Sequence, residues 1–198
     1  PAPCRRRTDV VTRTAFVDES GSQENRDPGT YILAAAICDE QHLDTVREVM
    51  HGLRRTKVGK VHWNEESAPR RLQLAAAVAE LALERLVVVR SVDSTEPFER
   101  RRRKTMERLL HELTMRDVAL LVAESRGPAD DRRDRDHLDT LRAARALSGP
   151  IRLDHRRGPV EPVLWVADII CGAIVQDRVG NPRPLAVLGD IQIITVDD

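Results

Sequence analysis

Val10–Gly21 reads VVTRTAFVDESG, and the reading of this stretch decides the fold. Val10, Val11, Thr12, Thr14, Phe16 and Val17 are β-branched or aromatic, the side chains that fit a pleated strand. The run stops abruptly at Asp18, Glu19, Ser20 and Gly21. Successive side chains of a strand point to opposite faces, so the two carboxylates part. One of them looks toward whatever lies at the strand end, where open α/β sheets place their sites. Ser20 and Gly21 permit the turn that follows. A strand that merely ends in a polar turn has the same composition, so any chemistry needs partners from later segments.

Outward from this stretch, Ser22–Gly29 is a polar turn region and Tyr31–Cys38, YILAAAIC, an apolar run of strand length. Together they predict a hairpin. Leu43, Val46, Val49, Met50 and Leu53 have helical spacing over 39–55, with Asp39 as a candidate cap. Residues 57–64, KVGKVHWN, read as a turn and a short extended piece. The longest helical pattern is 65–84, with Ser67 and Pro69 suiting its start. Strands are expected at 85–92, 117–125, 150–154 and 191–196, and helices at 97–116, 136–147 and 163–176. The charged segment 126–135 reads as a loop. A strand pair followed by strands alternating with helices predicts an α/β fold, a mixed central sheet flanked by helices. Without repeats or a long linker, residues 1–9 are expected to form an N-terminal tail and 10–198 one domain.

The 198 residues carry 32 basic and 32 acidic side chains, for a formal net charge of zero. Any contact with nucleic acid must therefore come from local patches. Only Lys57, Lys60 and Lys104 are lysines; the other basic residues are arginines. Cys4, Cys38 and Cys171 are odd in number and far apart, which reads as free thiols in a reducing compartment. No signal-peptide core or bilayer-length apolar run is present, so a cytoplasmic location is expected, without membrane contact. The chain lacks an initiator Met, which suggests a start beyond the true beginning.

Asp168 is the second anomaly. Leu164, Val166, Ala167, Ile169, Ile170 and Cys171 surround it in a segment apolar nearly all round. A carboxylate there is costly unless it is paired or bound to a metal. An arginine partner or a water-facing edge is the plain alternative. The metal reading gains from three other acids that end strands: Asp18, Asp93 and Glu124. Clustered carboxylates repel, and a divalent cation is the usual reason to assemble them. Oxygen-only donors select Mg2+ or Mn2+, and no HExxH or CxxC spacing supports zinc.

FVDESG, YILAAAIC and LDHRRGPVEPVLWVADIICGAI together resemble the domain-of-unknown-function family numbered 3800. That family is similar to the ribonuclease H-like superfamily. Its hallmarks are an opening strand bearing DESG and a late helix bearing L-Q-x-A-D-hydrophobic-hydrophobic-x-G. The resemblance runs from Phe16 to about Ile174, and Trp165 stands where the family has Gln. It implies a ribonuclease H-like mixed sheet whose acids are delivered by separate elements: Asp18 from the first strand, Glu124 from a later strand, Asp168 from the late helix. Asp154 lies where relatives carry an Asp-Ser pair, here with His155 in place of Ser. The superfamily's extra Glu has no clear match; Glu19 and Glu48 are the available choices. The catalytic set implied is Asp18, Glu124, Asp168, Glu19 and Asp154, with Asp18, Glu124 and Asp168 as metal ligands. In such sites two metals roughly 3.5–4 Å apart clamp an in-line phosphoryl displacement.

Lesser candidates surround this set. His62 and Trp63 could offer a base and a stacking ring to a nucleotide, though a half-buried edge has the same look. Arg126 sits two residues after Glu124 and could hold a phosphate at a site rim, as could His155 and Arg156. The run Arg100–Lys104 reads as a solvated helix face unless it borders the acids. The leading expectation is a divalent-metal-dependent nuclease acting on DNA or RNA. The alternatives are a non-catalytic binding or assembly module of the same fold and a small-molecule phosphohydrolase.

Overall fold

A computed structural model describes residues 12–21, 27–56, 59–92 and 95–196. The expected N-terminal tail, Cys4 and the strand-end acid Asp93 lie outside the described residues. Six strands form one sheet in the order β5-β4-β1-β2-β3-β6. They are β1 (Arg13–Gly21), β2 (Thr30–Asp39), β3 (Glu84–Ser91), β4 (Val118–Glu124), β5 (Arg152–Arg156) and β6 (Gln192–Val196). β1 and β2 form the expected antiparallel hairpin, and β3 adds antiparallel to β2. β4 runs parallel to β1, β5 parallel to β4, and β6 parallel to β3. The mixed sheet flanked by helices is thus observed.

The helices are α1 (Leu43–Gly52), α2 (Ala68–Ala79), α3 (Phe98–Thr114), α4 (Pro128–Ala143), α5 (Val163–Arg178) and α6 (Arg183–Leu188). Period-2 alternation divides the core in two. Phe16, Ile32, Ala34, Ala36, Val87 and Val122 face α1, α2, α5 and α6. Ala15, Val17, Tyr31, Leu33, Val88 and Leu121 face α3 and α4. α5 lies on β1 and β2 and is itself covered by α1, α2 and α6, which explains its apolar circumference. Gly172 completes this packing: Trp63 is buried against it, and a Cβ at 172 would run into the indole.

Four expectations are corrected. The segment 126–135 is not a loop, because α4 begins at Pro128. Its buried face is Asp134, His137, Leu138 and Leu141, a helical spacing that begins with a charge and so escapes a hydrophobicity count. Asp39 makes no side-chain cap; a 3-10 turn over Glu40–His42 precedes α1 instead. The helix expected over 65–84 is confined to α2, and α3 is longer. α6, a single short helix between prolines and glycine, was not expected at all.

Candidate active site

A cavity of about 440 Å³ opens at the ends of β1 and β4, beneath α5. Its wall includes Asp18, Glu19, Glu124 and Asp168 together with Lys60, His62 and Arg126. Asp18 continues the parity of Phe16 toward α5. Glu19 continues that of Val17 toward α3. β4 brings Glu124 alongside because Ala123 pairs with Val17 in parallel register. α5 crosses the same end, and Cys171 Sγ donates to the Asp18 carbonyl at 3.4 Å.

The segment 60–63 threads between the acids. Lys60 Nζ donates to Glu124 Oε1 at 2.7 Å. The next residues serve Asp168: its Oδ2 accepts from Trp63 N at 2.8 Å and lies 3.2 Å from His62 Nδ1. Asp168 is therefore buried, and among the described residues it has no arginine partner, in contrast to the plain alternative considered above. Asp18 has the barest environment. Among the described residues, its Oδ1 accepts from the Glu19 amide alone, at 2.8 Å. Burial, then the charges of Asp168 and Glu124, push its pKa up to about 7, against the pull of that amide and of Lys60. His62 is raised above the ordinary histidine range, chiefly by its hydrogen bond to Asp168.

Glu19 belongs to a different network. Tyr31 donates its hydroxyl to Glu19, and Arg102 Nε does so at 3.0 Å. Arg102 also grips Asp134 with both terminal nitrogens, and His155 Nε2 lies 3.2 Å from the same carboxylate. Arg126 reaches Glu19 and Asp134 only loosely, at 3.5 and 3.7 Å, and its buried Nη2 makes no hydrogen bond among the described residues.

Several expected residues do not reach the cavity. Asp154 is exposed and bonds the His155 amide and Arg156. Arg156 turns to Asp154 and the buried Glu161. His155 points to the α4 side, where Asp134 holds it. β5 is the cause: it lies beyond β4 and pairs only with that strand, so it is one strand removed from β1. Glu48 is exposed on α1. The Trp63 ring is 2% exposed and cannot stack on a ligand. Arg101 and Arg102 are buried, so the run 100–104 is not wholly a solvated face.

Lys60 is the residue that sequence reasoning passed over, and Arg102 was weighed only as part of the run Arg100–Lys104. Lys60 carried a usable signal: it is a lysine in a chain whose basic residues are nearly all arginine. A compact ammonium fits between carboxylates where a planar guanidinium does not.

The donor set suits a hard divalent cation in kind, being three carboxylates from three elements on one wall. Among the described residues, however, no three His, Cys, Asp or Glu side chains stand close enough together to hold an ion. The Lys60 ammonium, bonded to Glu124, already supplies one positive charge to this wall.

No protein-family model matches the sequence, and no curated protein does. Solved structures do resemble it. Ribonuclease H2 from Pyrococcus horikoshii superposes with a TM-score of 0.60 at 14% identity, covering 85% of this chain and 74% of that one. The RNase HII in a PCNA complex from Archaeoglobus fulgidus gives 0.56 at 17%, covering 88% and 86%. Bst-RNase HIII in complex with Mn2+ gives 0.54 at 16%, covering 85% of this chain and 53% of that one. The chain has a ribonuclease H-like fold. Among the described residues no helix is long and apolar enough to cross a membrane.

Proposed function

We propose that the chain is a divalent-metal-dependent nuclease that hydrolyses phosphodiester bonds in DNA or RNA, and a divergent relative of the domain-of-unknown-function family numbered 3800. The observation that carries this reading is the meeting of Asp18, Glu124 and Asp168 on one cavity wall, with Asp18 almost unpartnered. The structural neighbours are RNase H enzymes, one of them in complex with Mn2+, which agrees with this reading.

Asp18, Glu124 and Asp168 would hold Mg2+ or Mn2+, which supplies Lewis-acid activation of a water and charge neutralisation at the leaving oxygen. The chain's own groups do the rest. The Trp63 amide fixes the orientation of the Asp168 carboxylate. His62, with Nδ1 3.2 Å from Asp168 Oδ2, helps hold that carboxylate in place. Arg126, which lines the cavity and is held only loosely by Glu19 and Asp134, offers donors to a phosphate. Lys60 adds a fixed positive charge to the same wall. No covalent nucleophile is called for.

The test is cleavage of labelled DNA, RNA and hybrid strands in Mg2+ or Mn2+, beside Asp18→Asn. Metal-dependent cutting that the variant lacks supports the reading. No cutting of any strand by folded protein in either metal overturns it. That result would favour the binding-module reading, to which one observation lends weight: Lys60 and His62 already pair with Glu124 and Asp168.

A further inference from the structure

Of the chain's five aromatic side chains, four are buried, and Phe98 alone is exposed, by 43%. It opens α3 at the rim of the cavity. A Cβ at Gly21, which lines the cavity, would stand 3.2 Å from the Phe98 ring. Arg102, one helical turn on from Phe98, lines the cavity too. Three residues of strand, about 10 Å, separate Gly21 from Asp18.

A single exposed apolar side chain is common on protein surfaces. This one is held from within. The Tyr31 ring packs edge to face with it, the centroids 5.2 Å apart and the planes at 82°. Tyr31 is itself anchored through its hydroxyl on Glu19. The Arg101 guanidinium lies over the Phe98 ring, 5.9 Å from its centroid. Arg101 is only 7% exposed, and among the described residues it has no ion pair and its Nε no hydrogen-bond partner. Burying a guanidinium without a counter-ion is costly. A ring clamped by such a group at the rim of a cavity is a built feature, and the uncancelled charge beside it suits an anion.

An exposed, fixed ring next to a positive charge matches a nucleobase and its phosphate. The base stacks on the ring, and Arg101 acts on the phosphate by its field, not by contact. A paired base must first leave its own stack, which costs free energy, so such a ring favours a strand that is single at this point.

We infer that Phe98 is a stacking platform for an unpaired base of a polynucleotide strand that enters the cavity. This rests on the reading of the chain as a nuclease and deepens it, by naming the substrate as single-stranded where it meets the protein. No metal takes part in the contact.

The experiment is the binding of short DNA and RNA oligonucleotides to the full chain in EDTA, followed by fluorescence anisotropy. 2-Aminopurine in the strand reports stacking by a fall in its emission. The chains compared are the unaltered protein, Phe98→Leu and Phe98→Trp, each shown to fold by thermal unfolding. Single strands should bind at least about tenfold more tightly than blunt duplex. Phe98→Leu keeps an apolar side chain without the ring; it should weaken single-strand binding about tenfold and abolish the quench. Phe98→Trp should bind at least as tightly as the unaltered protein. Equal binding by Phe98→Leu overturns the inference, as does the absence of any strand binding. So does a Phe98→Leu chain that loses self-association instead, the ring then being a contact between copies. Cutting of strands that Phe98→Leu binds equally well would leave the nuclease reading standing without this inference. Binding through Phe98 with no cutting in Mg2+ or Mn2+ would uphold the platform and remove the nuclease reading.

Discussion

Asp18 and Glu19 are consecutive on β1, yet the two faces of the sheet treat them oppositely. On the α3 side, Glu19 and Asp134 meet Arg102, Arg126, Tyr31 and His155, so each carboxylate has guanidinium or hydroxyl donors to spare. On the α5 side, Asp18, Glu124 and Asp168 have Lys60, His62 and two backbone amides among them. The first arrangement is complete and its charges cancel. The second is short of positive charge, and the shortfall is concentrated on Asp18. An ion network that satisfies itself is structural. One that leaves like charges together is poised for a ligand of opposite sign.

The largest test of this contrast is activity. Asp18→Asn should lower cleavage by about a hundredfold or more, whereas the neighbouring substitution on the other face should not. Stability should respond the other way round. Arg102→Met leaves Asp134 and Glu19 short of their main partner in a buried setting. It should cost about 3–5 kcal/mol in urea unfolding, the penalty of a stranded buried charge. Gly172→Ala drives a methyl into Trp63 and should cost about 1–3 kcal/mol by the same measurement, with Asp168 displaced as the helix shifts.

The pH dependence sharpens the comparison. Asp18 is raised above its unfolded value, so its contribution to stability is complete at pH values below the ordinary carboxylate range. It is lost as pH rises through about 7. His62, also raised, acts in the same direction. Metal-free protein should therefore lose about 1–3 kcal/mol between pH 5 and pH 8.5, and Asp18→Asn should flatten most of that slope. Mn2+ should restore stability at the alkaline end, where Asp18 is ionised. Glu19→Gln is expected to be the mildest change. Tyr31 and Arg102 can still donate to the amide oxygen, so activity should stay within about threefold and stability fall by about 1 kcal/mol.

The fold was legible where side-chain period and type agreed. β1, the β2 hairpin partner, β3, β4 and α5 all announce themselves by β-branched alternation or by a long apolar run. α4 did not, because its inward face opens with Asp134, a charge that the helix can bury only because Arg102 arrives from α3. The site was legible in part for a related reason. Asp168 stands out in an apolar helix, and Asp18 and Glu124 end strands, so the three acids could be picked out one by one. Their order in the sheet could not. Asp154 and His155 look like site residues on a strand of the right kind, but β5 lies at the outer edge, beyond β4. Nor does the sequence tell which acids are already neutralised, since Arg102 and Lys60 find their partners 83 and 64 residues away along the chain.

The most direct measurement of the central claim is a crystal soaked in Mn2+ and examined by anomalous diffraction. An anomalous peak within coordination reach of the Asp18 and Asp168 carboxylates, absent in Asp18→Asn, is the predicted result. A cavity that stays empty at saturating Mn2+, with Asp18 still bonded only to the Glu19 amide, would contradict the account.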